Sequence, residues 1–373
     1  MNLSVCIIAK NEEKHIEKCM QCLSDKEVQI VVADTGSTDK TKEIAKKYTE
    51  FVYDFKWIDD FGAAKQFAVS KASNDNILIL DCDEYLQSDK TVLEKLNSML
   101  ENEPQRAGRI KCINVLDDDS KNTDWITRAF NRKYYKVEGK IHEQIVKTDG
   151  EPADTFLSAV VIKHVGYALN DDEKKKKASR NIKLLKKRLA ELEKNFDSDI
   201  TQNNEKEIPY IYYQLGKSYY MEKDYNNACD FFSKGLSFDL EPKLEYVIDM
   251  VETYGYAMLN SGKVQEALSY TSIYDVFGNS ADFKFLMGLI YMKNAMFDEA
   301  VNEFQKAAEY KESRVEGANS YLAYYNIGVI YECLGNIGKA QEYYKKCNGY
   351  SKAVERLENG RQGNLTKCRK TGV

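Results

Sequence analysis

Asp81 and Asp83 stand one residue apart in the run Asp81-Cys82-Asp83-Glu84, directly after Ile77-Leu78-Ile79-Leu80. A short apolar run of this kind reads as a buried strand, so both acids arrive at a strand's carboxyl end, where α/β sheets assemble their active sites. Two aspartates at this spacing can ligate one divalent cation, which neutralises the phosphates of a nucleotide-activated substrate. The chemistry this predicts is transfer of a diphosphate-linked group. Asp117-Asp118-Asp119 and Asp197-Ser198-Asp199 share the spacing, but they sit in polar, turn-like sequence with no strand before them and read as solvated loops. Position, rather than pattern, selects Asp81 and Asp83.

Elements able to hold these acids lie in the first half of the chain. Leu3 to Ala9 and Val28 to Ala33 are nearly continuous in apolar residues, as parallel strands covered on both faces are. Ile16, Cys19, Met20 and Leu23 recur between them at helical spacing, and Cys19 and Cys22 read as small residues on a buried helix face. Asp34-Thr35-Gly36-Ser37-Thr38-Asp39 is a polar turn whose acceptors can cap a helix beginning near Lys40. A further helix is expected over Phe61 to Ala72. The alternation predicts an α/β fold, a Rossmann-like, mostly parallel sheet with right-handed crossovers.

Beyond about residue 205 a helical repeat replaces that alternation. Gly216, Gly255, Gly288 and Gly328 are each followed twelve residues later by Ala228, Ala267, Ala300 and Ala340. Four residues further on stand Phe232, Phe304 and Tyr344, with Thr271 the exception. This pattern resembles the tetratricopeptide repeat, in which small residues let paired helices approach and large ones fill the groove. Spacings of 39, 33 and 40 between the glycines require loops of varying length. Between the halves, Ile182, Leu184, Leu185, Leu189 and Leu192 form an amphipathic stripe after Lys174-Lys175-Lys176-Lys177, a run read as a solvated face or as a basic flap over a phosphate site.

Bulk properties narrow the classes. A chain of 373 residues favours two domains, and 43% hydrophobic with 30% charged residues fits a globular protein. A net charge of −5 gives no reason to expect nucleic-acid binding. The N-terminal apolar stretch lacks a signal peptide's basic flank, and no run approaches a membrane span. Nine scattered cysteines favour reduced thiols, so the cytoplasm is the expected compartment.

Four motifs occur in order: Lys10-Asn11-Glu12-Glu13, Asp34 to Thr41, Asp59-Asp60-Phe61-Gly62-Ala63-Ala64-Lys65, and Asp81-Cys82-Asp83-Glu84. Together they resemble glycosyltransferase family 2, over residues 1 to about 167. The resemblance implies a sheet of the GT-A type and a uridine nucleotide held by Asn11, Glu12 and Asp34, residue types that hydrogen-bond a base and a ribose. Capping for Asp34 and a first-turn helix charge for Glu12 are the alternatives. Asp60 would touch the base, carry Lys65 or cap a helix; Lys65, where relatives more often have Arg, would meet donor phosphate as a point charge. In Gly139-Lys140-Ile141-His142-Glu143-Gln144 and Lys163-His164-Val165-Gly166-Tyr167 the resemblance makes Glu143 the candidate general base and His164 a third metal ligand beside Asp81 and Asp83. A carboxylate and imidazole set suits Mn²⁺ as well as Mg²⁺. A structural histidine at a strand end is the alternative for His164. His142 would orient Glu143, contact the acceptor or serve structure. His15 reads as surface. Arg128, Phe130 and Arg132 fit a phosphate or acceptor contact, and Trp125 a stacked sugar.

The implied reaction is in-line displacement of a sugar from a UDP-sugar with inversion and no covalent intermediate, Glu143 taking the nucleophile's proton. The expected division is a nucleotide-sugar-binding catalytic domain over 1–167, a helical linker over 168–204, tetratricopeptide-like repeats over 205–350 and a polar tail over 351–373. The combination is similar to a bacterial subgroup that includes peptide S-glycosyltransferases of glycocin biosynthesis as well as enzymes acting on lipid-linked or surface saccharides. A repeat surface would hold a peptide or protein acceptor; with a saccharide acceptor, the repeats would serve a homodimer. A non-catalytic tetratricopeptide scaffold would predict a broken acid pair or a missing base, and neither is broken or missing here.

Overall fold

The structure, a computed structural model, describes residues 1–115, 120–166, 171–196 and 202–361. Asp117-Asp118-Asp119, Asp197-Ser198-Asp199, Tyr167 and the tail beyond 361 lie outside the described residues. The chain divides into two compact units, Met1–Asn170 and Asp171–Val373. The strip expected as a linker is thus mostly one helix of the second unit.

The first unit contains strands β1 (Leu3–Ala9), β2 (Gln29–Asp34), β3 (Val52–Asp54), β4 (Asn76–Asp81), β5 (Glu84–Leu86), β6 (Ala107–Val115), β7 (Lys121–Asn131), β8 (Tyr135–Glu138), β9 (Gln144–Lys147) and β10 (Thr155–His164). Helices α1 (Ile16–Gln21), α2 (Thr41–Ala45), α3 (Phe61–Ser70) and α4 (Lys90–Asn102) connect them. Eight strands form one sheet in the order β3-β2-β1-β4-β7-β6-β10-β5, and β8 pairs with β9 as a hairpin. The stretch β3-β2-β1-β4 is parallel. β7 enters antiparallel between β4 and β6, β10 is parallel to β6, and β5 is antiparallel to β10.

Both faces of the sheet are covered, which explains the unbroken apolar strands. Leu3, Val5, Ile7, Leu78 and Leu80 pack on one side with Ile16, Met20 and Leu96; Cys6, Val31, Ala33, Ile77 and Ile79 pack on the other with Ala68 and Val69. Register then sets what meets at the edge. Ala9 pairs with Asp34 and Ile8 with Asp81, while His164 lies opposite both Glu84 and Asn114.

In the second unit, α5 (Asp171–Phe196) packs on α6 (Gln202–Met221), burying Leu185 and Leu192 and pairing Arg188 with Glu207 at 2.7 Å. There follow α7 (Tyr225–Leu236), α8 (Glu245–Asn260), a 3₁₀ helix (Glu266–Ile273), α9 (Tyr274–Phe277), α10 (Ala281–Lys293), α11 (Phe297–Ala308), α12 (Tyr321–Cys333), α13 (Ile337–Lys346) and α14 (Ser351–Arg361). The repeating glycines do what their spacing predicts. A Cβ on Gly216, Gly288 or Gly328 would come within 2.5, 2.6 or 2.4 Å of Phe232, Phe304 or Tyr344, the aromatic sixteen residues on. Gly255 meets Leu286 and Tyr270 instead, and its repeat is the one whose second helix is 3₁₀, where Thr271 replaces the aromatic. Cys6, Cys19, Cys22, Cys82, Cys112, Cys229 and Cys347 are thiols outside any disulfide. No described helix is long and apolar enough to cross a membrane.

Candidate active site

The site gathers where β4 and β10 end and β5 begins, with Arg128 reaching in from β7, beside the β8–β9 hairpin loop. α3 begins against that loop: the backbone N–H groups of Phe61 and Gly62 donate to the carbonyls of Lys140 and Gly139 at 2.9 and 3.1 Å. The approach requires glycine, because a Cβ on Gly62 would lie 2.6 Å from the Gly139 oxygen. One turn on, Lys65 reaches Asp81 Oδ1 at 2.7 Å and Glu143 Oε1 at 2.6 Å. Arg128, on β7, bridges Asp81 Oδ2 at 2.9 Å and Glu84 Oε1 at 2.8 Å, and Glu84 Oε2 accepts the Asp81 backbone N–H at 2.9 Å.

Five charged groups therefore interlock. Burial works against the Lys65 ammonium, but Asp81 and Glu143 outweigh it and hold its pKa above the ordinary lysine value. Desolvation likewise opposes charge on Asp81, yet Lys65 and Arg128 keep it far below the usual carboxylate range. For Glu84 burial prevails over Arg128 and raises its pKa.

Asp83 and His164 form a second feature. His164 Nε2 lies 3.4 Å from Asp83 Oδ2, and the Val165 N–H donates to the Asp83 carbonyl at 3.0 Å. A Cβ on Gly166 would lie 2.0 Å from Asp83 Oδ2 and 2.6 Å from His164 Nε2, so glycine keeps the notch between them open. A carboxylate facing an imidazole nitrogen at this distance is a donor set that fits a divalent cation. The three expected ligands do not converge, however: among the described residues no group of three His, Cys, Asp or Glu side chains surrounds one point. Asp81 is turned to Lys65 and Arg128, so Asp83 and His164 are the pair the fold offers.

The nucleotide-side residues are joined in a polar bracket. Asp34 Oδ1 accepts from the Gly36 and Ser37 N–H groups at 3.0 and 2.9 Å, while its buried Oδ2 has no hydrogen-bond partner. Asp34 thus caps its own turn; Asp39 ties to Thr41 at the start of α2. Asn11, at φ 56°, accepts from Thr38 N at 2.8 Å, and the Glu12 N–H donates to Thr41 Oγ1 at 2.7 Å. Asp60 is the N-cap of α3, accepting from Ala63 N at 2.8 Å, and Lys65 is paired elsewhere. His142, at φ 53°, sits in the hairpin loop next to Glu143, its carbonyl accepting from Gln144 Nε2 at 3.0 Å.

Several readings change. His15 is half-buried, with Nδ1 2.9 Å from the Tyr85 hydroxyl, rather than a surface residue. Phe130 is core, and Arg132 donates to the Val69 and Ala72 carbonyls at the end of α3, so of that trio only Arg128 enters the site. Glu84, Asn114 and Trp57 escaped the sequence reading. Trp57 packs edge-on against Phe61 with Lys10 above its ring. Trp57 stands three residues before Asp60 in one of the four motifs, a signal that could have marked it; nothing local marks Asn114, which depends on strand pairing.

Comparisons with known proteins identify the family of each unit. The profile for Glycosyl transferase family 2 matches residues 4–163, and tetratricopeptide-repeat profiles match 210–234, 281–314 and 321–353. A TPR repeat-containing protein of Synechococcus elongatus is 23% identical over 91% of this chain and 73% of its own length. The SPbeta prophage-derived glycosyltransferase SunS of Bacillus subtilis is 29% identical over 49% of this chain. The lipopolysaccharide core biosynthesis glycosyltransferase LpsC of Rhizobium meliloti is 32% identical over 26%. The matched parts span 44% of SunS and 37% of LpsC. Residues 4–163 are thus a family 2 glycosyltransferase domain, on a chain that continues into tetratricopeptide repeats.

Proposed function

We propose that the first unit moves a sugar from a UDP-sugar to an acceptor with inversion, and that the repeat unit holds a peptide or protein acceptor. The observation that carries the reading is the Asp83–His164 notch kept open by Gly166, set beside Asp81 and Glu143 joined through Lys65. Asp83 and His164 would hold Mn²⁺ or Mg²⁺, which when bound supplies positive charge to the donor's diphosphate. The rest is work for side chains. The unpartnered Oδ2 of Asp34 is free to accept from the nucleoside, and Asn11 and Glu12 keep that turn in place. Lys65 and Arg128 supply fixed positive charge near the leaving group and orient Asp81. Glu143, held by Lys65 on a loop clamped to α3, would take the proton from the incoming nucleophile. His142, its neighbour, would steer the acceptor.

The repeat architecture, an extended stack of helix pairs, favours a polypeptide acceptor over a saccharide. A panel of nucleotide sugars with Mn²⁺, read as UDP release with and without candidate acceptors, tests the reading. Asp83→Ala is expected to abolish turnover; activity that survives it, or survives a chelator, refutes the cation role. Glu143→Gln is expected to retain donor binding and lose about 10²–10⁴-fold in transfer. Loss of UDP affinity instead would remove Glu143 as the base.

A further inference from the structure

Asn114, next to last in β6, lies opposite His164, and its side-chain amide is engaged at both ends. Nδ2 donates to Asn122 Oδ1 at 2.7 Å and to Asp124 Oδ2 at 2.9 Å. Sheet register produces this geometry. Asn114 pairs with Asn122 across β6 and β7, while Asp124, opposite Cys112, is its diagonal neighbour on the same face. A carboxylate oxygen only accepts, so the NH₂ end of Asn114 has to face Asp124. The amide's orientation is therefore dictated by its partners.

Oδ1 is then left to face His164 Nδ1 at 2.8 Å, with the Cys112 thiol also donating to it at 3.4 Å. An amide oxygen carries no hydrogen, so Nδ1 must be the donor. In a neutral ring the other nitrogen then holds a lone pair, and Nε2 is the atom 3.4 Å from Asp83 Oδ2. With the opposite tautomer, Nε2–H would simply point at Asp83, and the notch would offer no nitrogen ligand.

We propose that Asn114 is a positioning residue that fixes His164 as its Nδ1–H tautomer, and so aims the Nε2 lone pair into the notch beside Asp83. The inference rests on the divalent-cation reading of that notch for its purpose, though not for its geometry. It assigns Asn122 and Asp124 a purpose too: they hold the amide that holds the ring.

The test uses the full chain labelled with ring-¹⁵N histidine. Only three histidines contribute, and His164→Gln assigns the resonance. At a pH high enough to give the neutral ring, set by following the ring ¹⁵N shifts themselves, His164 is expected as Nδ1–H alone. Finding the neutral ring protonated at Nε2 in the unaltered protein overturns the proposal without any variant. Asn114→Leu removes the acceptor; it is expected to mix the tautomers and to weaken Mn²⁺ binding, followed by electron paramagnetic resonance titration, by about 10–100-fold. The paired exchange Asn114→Asp with Asp124→Asn keeps an acceptor for Nδ1 and should recover the single tautomer and most of the affinity. A tautomer unchanged in Asn114→Leu overturns the inference. A tautomer that responds as expected in a protein binding no Mn²⁺ upholds the positioning role and refutes the cation reading.

Discussion

Each unit contains a cluster of two cations and three carboxylates, and the two clusters differ in which sign of charge forms the exposed end. In the transferase unit Lys65 and Glu84 are the most buried members, at 3% and 2% exposed, and Asp81, a third exposed, is the open end. In the repeat unit Lys217 and Arg314 are 40% and 34% exposed, over Asp249, Glu252 and Asp282, which are all buried. Arg314 comes from the loop between α11 and α12 and joins Asp249 and Glu252 of α8, while its own N–H and that of Val315 donate to Asp282 of α10. Lys217 and the Tyr213 hydroxyl, both on α6, bind Asp249. The first arrangement leaves a carboxylate as its exposed end, and the second leaves cations exposed while it fastens successive repeats. Composition does not separate the two clusters; the pattern of burial does.

Removing one cation from each side tests this contrast most severely. Arg128→Leu leaves Glu84 buried without a counter-charge and should cost about 3–5 kcal/mol. Lys217→Met leaves Asp249 with Arg314 and Tyr213 and should cost no more than about 1 kcal/mol. Trp57 and Trp125 both lie in the first unit, so tryptophan fluorescence during denaturation follows that unit, and helical circular dichroism follows mostly the other. Equal losses would erase the distinction.

Acid titration separates the clusters next. Burial pushes Glu252 up to about 8 against the opposing Arg314, and Asp282 and Asp249 add to the rise. A carboxyl whose folded pKa exceeds its unfolded value keeps a proton that the unfolded chain has lost, so stability falls as pH rises from about 4.5 to about 8. The urea midpoint of the dichroism transition should drop across that window by the equivalent of a few kcal/mol at most. Glu252→Gln should level it.

Two glycines sharpen the comparison further. Gly166→Ala fills the notch at Asp83 and His164 and should lower Mn²⁺ affinity and transfer by about 100-fold with the fluorescence transition little changed. Gly328→Ala drives a methyl into Tyr344 and should cost about 1–3 kcal/mol in the repeats, leaving transfer intact. The smallest effect concerns the helix-to-helix turns. Seven residues after each repeat glycine the chain has positive φ: Lys223, Gly262, Ala295 and Gly335. Ala295→Gly should stabilise the repeat unit by about 1 kcal/mol, read as a higher urea midpoint; no change would mean the turn carries no strain.

Much of this was legible in the sequence because it is local or periodic. Continuous apolar runs identified β1, β2 and β4, and acids closing the last two set Asp34, Asp81 and Asp83 at their carboxyl ends. The glycine, alanine and aromatic spacing located the repeats, and the Thr271 exception marked the one with the 3₁₀ helix. Periodicity survives in sequence because a covered strand or a packed helix pair constrains every residue along it. Partnership between distant strands does not. That β7 would enter between β4 and β6, bringing Arg128 to Asp81 and Glu84, follows from pairing that no local pattern encodes.

The sequence by itself therefore determined the element types, the order of the motifs and the residue types able to bind a nucleotide diphosphate. Only tertiary structure decided which acids share a cation, that Asp81 turns to Lys65 and Arg128 while Asp83 meets His164, and which tautomer Asn114 imposes. The physical reason is that charge pairing and hydrogen-bond direction act over a few ångströms between residues as many as 81 positions apart, a distance that only strand register and helix docking can close.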